Sequence, residues 1–507
     1  MLRTTGQPVK QQRSVGRLMS GGSSGTGRPG SLGVPGLVLI GVGGIIGAGF
    51  FLGAGLPIRT AGPAVLLAFL IGALVMAQVT GALASMAIDD PEPGAFMTYA
   101  ERYIGVYAGF LEGWTYYIAS ILTIASESVA MSIFSHLWIR FLPSWALTAV
   151  YAAIVIAINA FGVRNFDRVE SVMSIMKIGA LVGFILCIGI LLIHASSGGA
   201  AGGLLGSSGA ARGRFGTGPG GFFPTGASGL FQSMLVVIFA YAGIGVFATA
   251  TTEMRNPKDI SKAAWITVLG LTVLYIVSIL LLLFVLPWQQ ISTSNSPFVM
   301  ALQATGIPVL GDVFNLIILI ASFSVMAGSV FSANQILHGL GEVHQAPRFV
   351  LDRKGQRAPY GALAITTFAV GATILISYLL PANVYNFLIS ASSFLTFLNW
   401  FMILWAFLSW RRHKKRQSGE RQAGEEVKRR ELGELGRKQR GGLGGVHISS
   451  LAFGQPISSI LTLVFILFLT GYALLQPDQR LGFYAFAALC ILVSICYFVI
   501  PGLRNRT

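Results

Sequence analysis

Residues 41–51 read GVGGIIGAGFF, five glycines inside an apolar stretch that runs from Val34 to Leu56. Glycine costs about 1 kcal/mol relative to alanine in a helix interior, so a segment long enough to be a buried helix should not collect it without a use. Three uses are open. A phosphate-cradling loop needs G-x-G-x-x-G after a strand and an acid about 20 residues on. Here Ile46 stands where the third glycine belongs and no acid occurs between residues 52 and 88, so that reading fails. Close helix packing suits the spacings Gly43-x-x-x-Gly47 and Gly49-x-x-x-Gly53. The third use is a deliberate interruption of the helix.

The rest of the chain bears on that choice. Of 507 residues, 54% are hydrophobic and only 11% charged, against about 25% charged in a soluble domain. Apolar runs recur at the length, about 20 residues, that an α-helix needs to cross roughly 30 Å of hydrocarbon. Segments fall near 34–56, 62–88, 106–137, 144–162, 168–194, 229–254, 260–286, 311–341, 360–380, 383–410, 453–475 and 481–500. The expected fold is therefore an all-α integral membrane protein with about 12 transmembrane helices. Residues 1–33 are polar, Gly/Ser-rich and basic, which predicts a disordered tail rather than a signal peptide.

Lysine and arginine set the expected orientation. With a cytoplasmic N-terminus, the segments on that side hold all of the 35 basic residues except Lys177 in the fifth helix and Arg59, Arg140, Arg212, Arg214 and Arg480 opposite. Both termini are then cytoplasmic in a multi-pass protein of the cell membrane. The same placement accounts for the formal charge of +16 without nucleic acid. The run RRHKKR at 411–416 opens a basic cytoplasmic linker, 411–452, whose charge also suits anionic lipid. Residues 195–228 form a Gly-rich extracellular loop with little that packs. Cys187, Cys490 and Cys496 all fall in predicted helices and read as small packing residues.

The sixth segment contains FAYAGIGVFATATTEMRNP, residues 239–257, in which Gly243 and Gly245 interrupt a second apolar run. Segments one and six each open a set of five helices, 34–194 and 229–410, with 453–507 carrying two more. Glycine-interrupted helices at matching places in two halves point to a 5+5 inverted repeat with its binding site at the midplane. An unwound helix offers free N–H groups to a carboxylate and free carbonyls to an ammonium, the two ends of an α-amino acid.

These stretches resemble amino acid permeases of the amino acid/polyamine/organocation (APC) superfamily, bacterial amino acid transporter branch. The likeness runs in order through IIGAGFFLGAG at 45–55, AGPA at 61–64, PGAFMTYAERYIG at 93–105, EGWTYY at 112–117, TTEMRNPKDISKA at 251–263 and QAPRFVLDRKGQRAP at 345–359. It implies a LeuT-like fold with broken helices one and six, and a secondary transporter working by alternating access. It also implies a substrate carboxylate at the backbone of Gly47, Ala48 and Gly49, and an amino group at the carbonyls of Ile45, Phe239 and Ala242. Tyr241, Gly243, Ile244, Gly245 and Phe247 complete the candidate site. Many relatives carry a glutamate where this chain has Gly245, which favours neutral or apolar amino acids over cationic ones.

Ionisable residues inside a membrane are expensive and usually functional. Lys177 lies about 15 Å into the fifth helix. Snorkelling to the surface is one reading; a proton carrier is the other, because burial favours the neutral form of an amine. Proton-coupled relatives resembling this chain place a lysine there, which implies proton symport with Lys177 as the coupling residue. A sodium-coupled carrier or an exchanger of the same fold is the alternative, and the Lys177 ammonium would repel a cation. Glu127 in helix three matches an acid of the same branch and either shares the proton path or makes a structural hydrogen bond; Glu112, nearer the cytoplasmic end, ranks below it. Glu253 and Arg255 are placed to close an inner gate. No metal-spaced cluster or nucleophile and base set appears, so neither enzyme nor cofactor is expected, and the proton gradient is the driving force. The expected partners are a small amino acid and the lipid bilayer. The loop from Trp138 to Pro143 lacks the cysteine that would link a heavy chain.

Overall fold

The computed structural model describes residues 32–91, 94–161, 166–196, 221–351, 359–379, 384–431 and 448–500. Residues 1–31 of the expected tail, 197–220 of the Gly-rich loop and 432–447 of the basic linker lie outside them.

Helices account for almost all of the regular structure. In chain order they are α1 (Val34–Ile45), α2 (Ala48–Phe51), α3 (Gly55–Ala61), α4 (Val65–Asp89), α5 (Ala95–Tyr103), α6 (Val106–Ser135), α7 (Ser144–Ala160), α8 (Phe166–Ser196), α9 (Gly226–Phe239) and α10 (Ile244–Ala250). There follow α11 (Ile260–Val285), α12 (Pro297–Gln303), α13 (Pro308–Glu342), α14 (Tyr360–Leu379), α15 (Val384–Glu431), α16 (Ile457–Leu474) and α17 (Pro477–Val499). Each apolar segment marked in the sequence falls on helix. Among the described residues, nine spans are long and apolar enough to cross a membrane, and Val34–Ile45, Ser144–Ala160 and Tyr360–Ile376 are shorter apolar helices. The protein is an all-helical, multi-pass membrane protein.

Two helices escaped the apolar pattern. The short α5 lies between two spans, and the chain turns into and out of it at Gly94 (φ 76°) and Gly105 (φ 150°), backbone that only glycine adopts freely. The short α12 begins with Pro297, which needs no N–H partner in a first turn. The sequence reading ended the tenth apolar segment at 410, yet α15 runs on to Glu431. Its basic extension docks back on the bundle: Lys414 Nζ lies 2.6 Å from Asp89 Oδ2 at the end of α4, and Trp410 Nε1 donates to the same oxygen at 3.4 Å.

The centre of the bundle is α6, which packs against α13, α15, α7, α5, α14, α17 and α2. Its apolar window is 83% buried, whereas those of α16 and α17 are 22% and 17% buried. Lipid replaces protein on those outer helices, so a hydrophobic residue there stays exposed without the cost it has in water. A polar side chain on α6 is instead enclosed by protein and must be satisfied or serve a purpose.

Candidate functional site

The first break follows α1 directly. Ile46 is extended (φ −77°, ψ 104°), as is Gly47 (φ −148°, ψ −158°), and the chain re-enters helix at Ala48. Neither φ demands glycine. Space does: a Cβ on Gly47 would lie 2.6 Å from Glu127 Oε1 and 2.8 Å from Val325 Cγ2. The Ala48 N–H freed by the break donates to both Glu127 oxygens at 3.1 Å. Tyr385 closes the turn from the other side, its hydroxyl donating to the Ala48 carbonyl at 2.9 Å. Glu127 on α6 therefore holds the donor to which the sequence reading assigned a substrate carboxylate.

The second break lies between Phe239 and Ile244. The Ala242 N–H donates to the Phe239 carbonyl at 3.0 Å, and Ile244 N–H to the Ala242 carbonyl at 2.8 Å. Each oxygen keeps a second lone pair for an ammonium. The two breaks touch: a Cβ on Gly243 would run into the Gly44 carbonyl, and one on Gly44 would lie 2.8 Å from Val246 Cβ. Close packing and interruption, set against each other in the sequence, are both present here.

A cavity of about 800 Å³, counted with its open mouth, lies against these breaks. Of the expected site residues, Ile45, Gly49, Phe239, Ala242, Gly243, Ile244, Gly245 and Glu127 line it. Gly47, Ala48, Tyr241 and Phe247 are not among its lining residues. Tyr241 faces another way, its hydroxyl donating to the Phe69 carbonyl at 3.1 Å, and Phe247 covers Gly41. Gly245 lies under Tyr116, whose hydroxyl and ring occupy the room a side chain would take. From the breaks the cavity runs along α6 past Ser120 and Tyr116 to Glu112, with Phe96, Asn399 and Trp400 on its walls. On the other side of the first break the space is filled. Phe50 stacks on Tyr275 with centroids 3.7 Å apart and planes at 7°, and Phe69, Phe298, Phe51, Phe314 and Phe184 extend the cluster edge to face.

Lys177 is buried, 1% exposed, so it does not snorkel. Its Nζ donates to the Gly43 carbonyl at 2.5 Å and lies 3.8 Å from Glu170 Oε1. Ser324 on α13 donates to both Glu170 oxygens at 2.9 and 2.8 Å. Glu170 was missed in the sequence, where it falls near the start of a segment and reads as interfacial. The available signal was its seven-residue spacing from Lys177, two turns along one helix face. At the far end of α1 the backbone of Glu253 and Arg255 pairs with Leu32: Leu32 N–H donates to the Glu253 carbonyl at 3.0 Å and Arg255 N–H to the Leu32 carbonyl at 2.9 Å. Among the described residues, no group of three or more His, Cys, Asp or Glu is placed to hold a metal ion.

An all-helical membrane bundle with a cavity at two touching helix interruptions defines the class. Its fold is shared with a manganese transporter of Eremococcus coleocola, at a TM-score of 0.51 and 12% identity, covering 96% of this chain and 100% of that one. A mutant of that transporter gives a TM-score of 0.53 at 13% identity. In sequence the chain is 31% identical over 360 residues to the uncharacterized amino acid permease YtnA of Bacillus subtilis, spanning 71% of this chain and 76% of that protein. It is 28% identical over 380 residues to the aromatic amino acid transport protein AroP of Salmonella typhimurium, spanning 75% and 81%. The amino acid permease family model matches residues 36–423, and the chain belongs to that family. It is a membrane-embedded amino acid transporter and not an enzyme.

Proposed function

We propose that the protein imports neutral or apolar amino acids across the cell membrane by proton symport with alternating access. The observation that carries the coupling is the bond from Lys177 Nζ to the Gly43 carbonyl, two residues before α1 ends. A charged amine makes the stronger hydrogen bond, so protonation at Lys177 biases how firmly α1 is held to α8. Glu170, fixed by Ser324, supplies the counter-charge that makes a buried ammonium tolerable.

The substrate carboxylate takes the N–H groups of Gly47, Ala48 and Gly49, displacing Glu127 from Ala48. The amino group takes the carbonyls of Ile45, Phe239 and Ala242. The side chain then lies against Ile244, Val246 and Val325, apolar walls of the cavity. AroP is described as an aromatic amino acid transport protein, which agrees with an apolar preference. Twelve crossings in a 5+5 repeat, with both termini cytoplasmic, suit the charge distribution: Arg102, Arg255, Lys258, Arg348 and Lys414 all belong to the cytoplasmic set. The cavity then opens inward, the aromatic cluster closes the outside, and Glu253 and Arg255 belong to the inner gate.

Uptake of a panel of labelled amino acids into proteoliposomes, with proton and sodium gradients imposed separately, tests this. Accumulation of neutral amino acids driven by the proton gradient alone is expected. A sodium-dependent, pH-independent signal would replace the coupling assignment, and transport of no amino acid would sink the whole reading.

A further inference from the structure

Glu112 is fully enclosed, 0% exposed, and among the described residues neither of its carboxyl oxygens has a hydrogen-bond partner. It nonetheless lines the cavity. Leaving a buried polar atom unmet costs about 1–3 kcal/mol and more for a charge, so such a group needs an explanation. Fold support is a poor one, because a carboxyl that bonds to nothing holds nothing in place.

Its position suggests a use. Glu112, Tyr116, Ser120, Thr123 and Glu127 follow one another at spacings of four, four, three and four residues along α6, which keeps them on one helix face. All five line the cavity. The stripe spans about 22 Å from the carboxyl at the first helix break to the one near the start of α6. The hydroxyls of Tyr116, Ser120 and Thr123 give this side of the cavity polar groups to hold water, and water carries a proton between groups that no single hydrogen bond joins.

We infer that Glu112 is the proton-release group on the inner side of the transport path. The inference rests on the proton-symport reading and extends it to the exit step. A proton delivered through the cavity binds a Glu112 carboxylate oxygen, forming an O–H bond and relieving the cost of an unpaired buried charge. When the inner end hydrates, that O–H bond breaks, the proton passes to cytoplasmic water and the carboxylate is restored. One proton enters and one leaves in each cycle.

The neighbouring elements bring other titratable groups to this end of α6. They include Tyr99, Glu101, Arg102 and Tyr103 on α5, His338 and Glu342 on α13, Arg411, His413 and Lys414 on α15, Tyr497 on α17, and Tyr107, Tyr116 and Tyr117 on α6 itself. His338 Nδ1 lies 3.9 Å from Glu342 Oε1, Arg102 pairs with Asp90, and Tyr116 Oη meets Ser332 Oγ at 2.8 Å. Thr115 Oγ1 donates to the Glu112 backbone carbonyl at 3.2 Å, but none of the described ion pairs or hydrogen bonds reaches the Glu112 carboxyl.

The test uses the full chain in proteoliposomes holding a pH dye, with the amino acid that the uptake panel identifies. Wild type should acidify the lumen as it accumulates substrate under an inward proton gradient. Glu112→Gln keeps the shape and loses the titration. It should retain exchange of labelled for unlabelled substrate and lose proton-driven accumulation by about a hundredfold, the low end for a positioned proton-transfer group. Glu112→Asp should recover part of it. Full accumulation by Glu112→Gln would overturn the assignment, and so would loss of exchange in step with accumulation, which marks a binding or structural role. Wild-type uptake without lumen acidification would instead remove the symport reading itself.

Discussion

The Lys177 amine joins α8 to α1 at the Gly43 carbonyl, 2.5 Å away, and sits 3.8 Å from the Glu170 carboxylate that Ser324 holds on α13. Three helices thus meet at one buried charge, next to the place where α1 stops. A change in the charge of that amine is felt by all three helices.

Replacing Lys177 by methionine keeps much of the side-chain volume and removes the charge. Proton-driven accumulation should disappear while exchange of labelled substrate persists. Glu170→Gln should give a milder form of the same defect, because Ser324 and Lys177 retain a polar partner. Parallel measurement of gradient-driven uptake and exchange in proteoliposomes checks both. Unchanged accumulation by the Lys177 variant would sink the coupling role.

The contact of Tyr116 with Gly245 gives a second expectation. Gly245→Ala places a methyl group in the Tyr116 ring, and overfilling a packed interior typically costs about 1–3 kcal/mol. Thermal unfolding in detergent should shift down for the single variant. Adding Tyr116→Ala should return part of the loss, since it empties the contested space. If the double variant is the sum of two losses, the collision is not the reason for glycine at 245.

How much of this was readable in advance differs by level. Length and hydropathy reveal spanning helices because lipid imposes one requirement on every residue facing it. GVGGIIGAGFF and AYAGIG mark the two breaks because glycine is costly in a helix without a reason. The sequence does not disclose which way a side chain at a break turns. Tyr241 was expected at the cavity and goes instead to Phe69 and Gly72, since tertiary neighbours decide that rotamer. Nor does it disclose that Glu127 occupies the Ala48 N–H, a contact between residues 79 positions apart. Glu170 was legible only through its spacing from Lys177. Glu112 looked interfacial because it lies near a helix end, yet α5, α13 and α15 enclose that end of α6.

The bond from Ala48 N–H to Glu127 leads to a third expectation. Glu127→Gln keeps an oxygen acceptor and should fold normally. Glu127→Ala leaves the N–H without its partner and should cost about 1–3 kcal/mol. If Glu127 also yields this N–H to the substrate carboxylate, the glutamine variant should show an altered KM for uptake while its unfolding temperature stays near wild type. An unfolding temperature and KM both unchanged in the glutamine variant would confine Glu127 to a structural bond.

The aromatic cluster supplies the last expectation. Phe50 on α2 and Tyr275 on α11 stack at 3.7 Å, and the Tyr275 hydroxyl donates to the Ala240 carbonyl at 3.3 Å, so one side chain links both breaks to α11. An aromatic pair adds about 0.5–1.5 kcal/mol beyond the area it buries, enough, on the proposed orientation in which this cluster closes the outside, to bias a closed end over an open one several-fold. Tyr275→Ala should weaken that closure. A cysteine introduced at Ser296, whose hydroxyl now donates to the Phe51 carbonyl at 2.8 Å, reports on it in a background where Cys187, Cys490 and Cys496 are serine. An impermeant thiol reagent added from outside should label it slowly with Tyr275 intact and several-fold faster with alanine there. Equal labelling rates would mean that the stack does not hold this end shut, and that closure rests on the Phe298, Phe314 and Phe184 contacts alone.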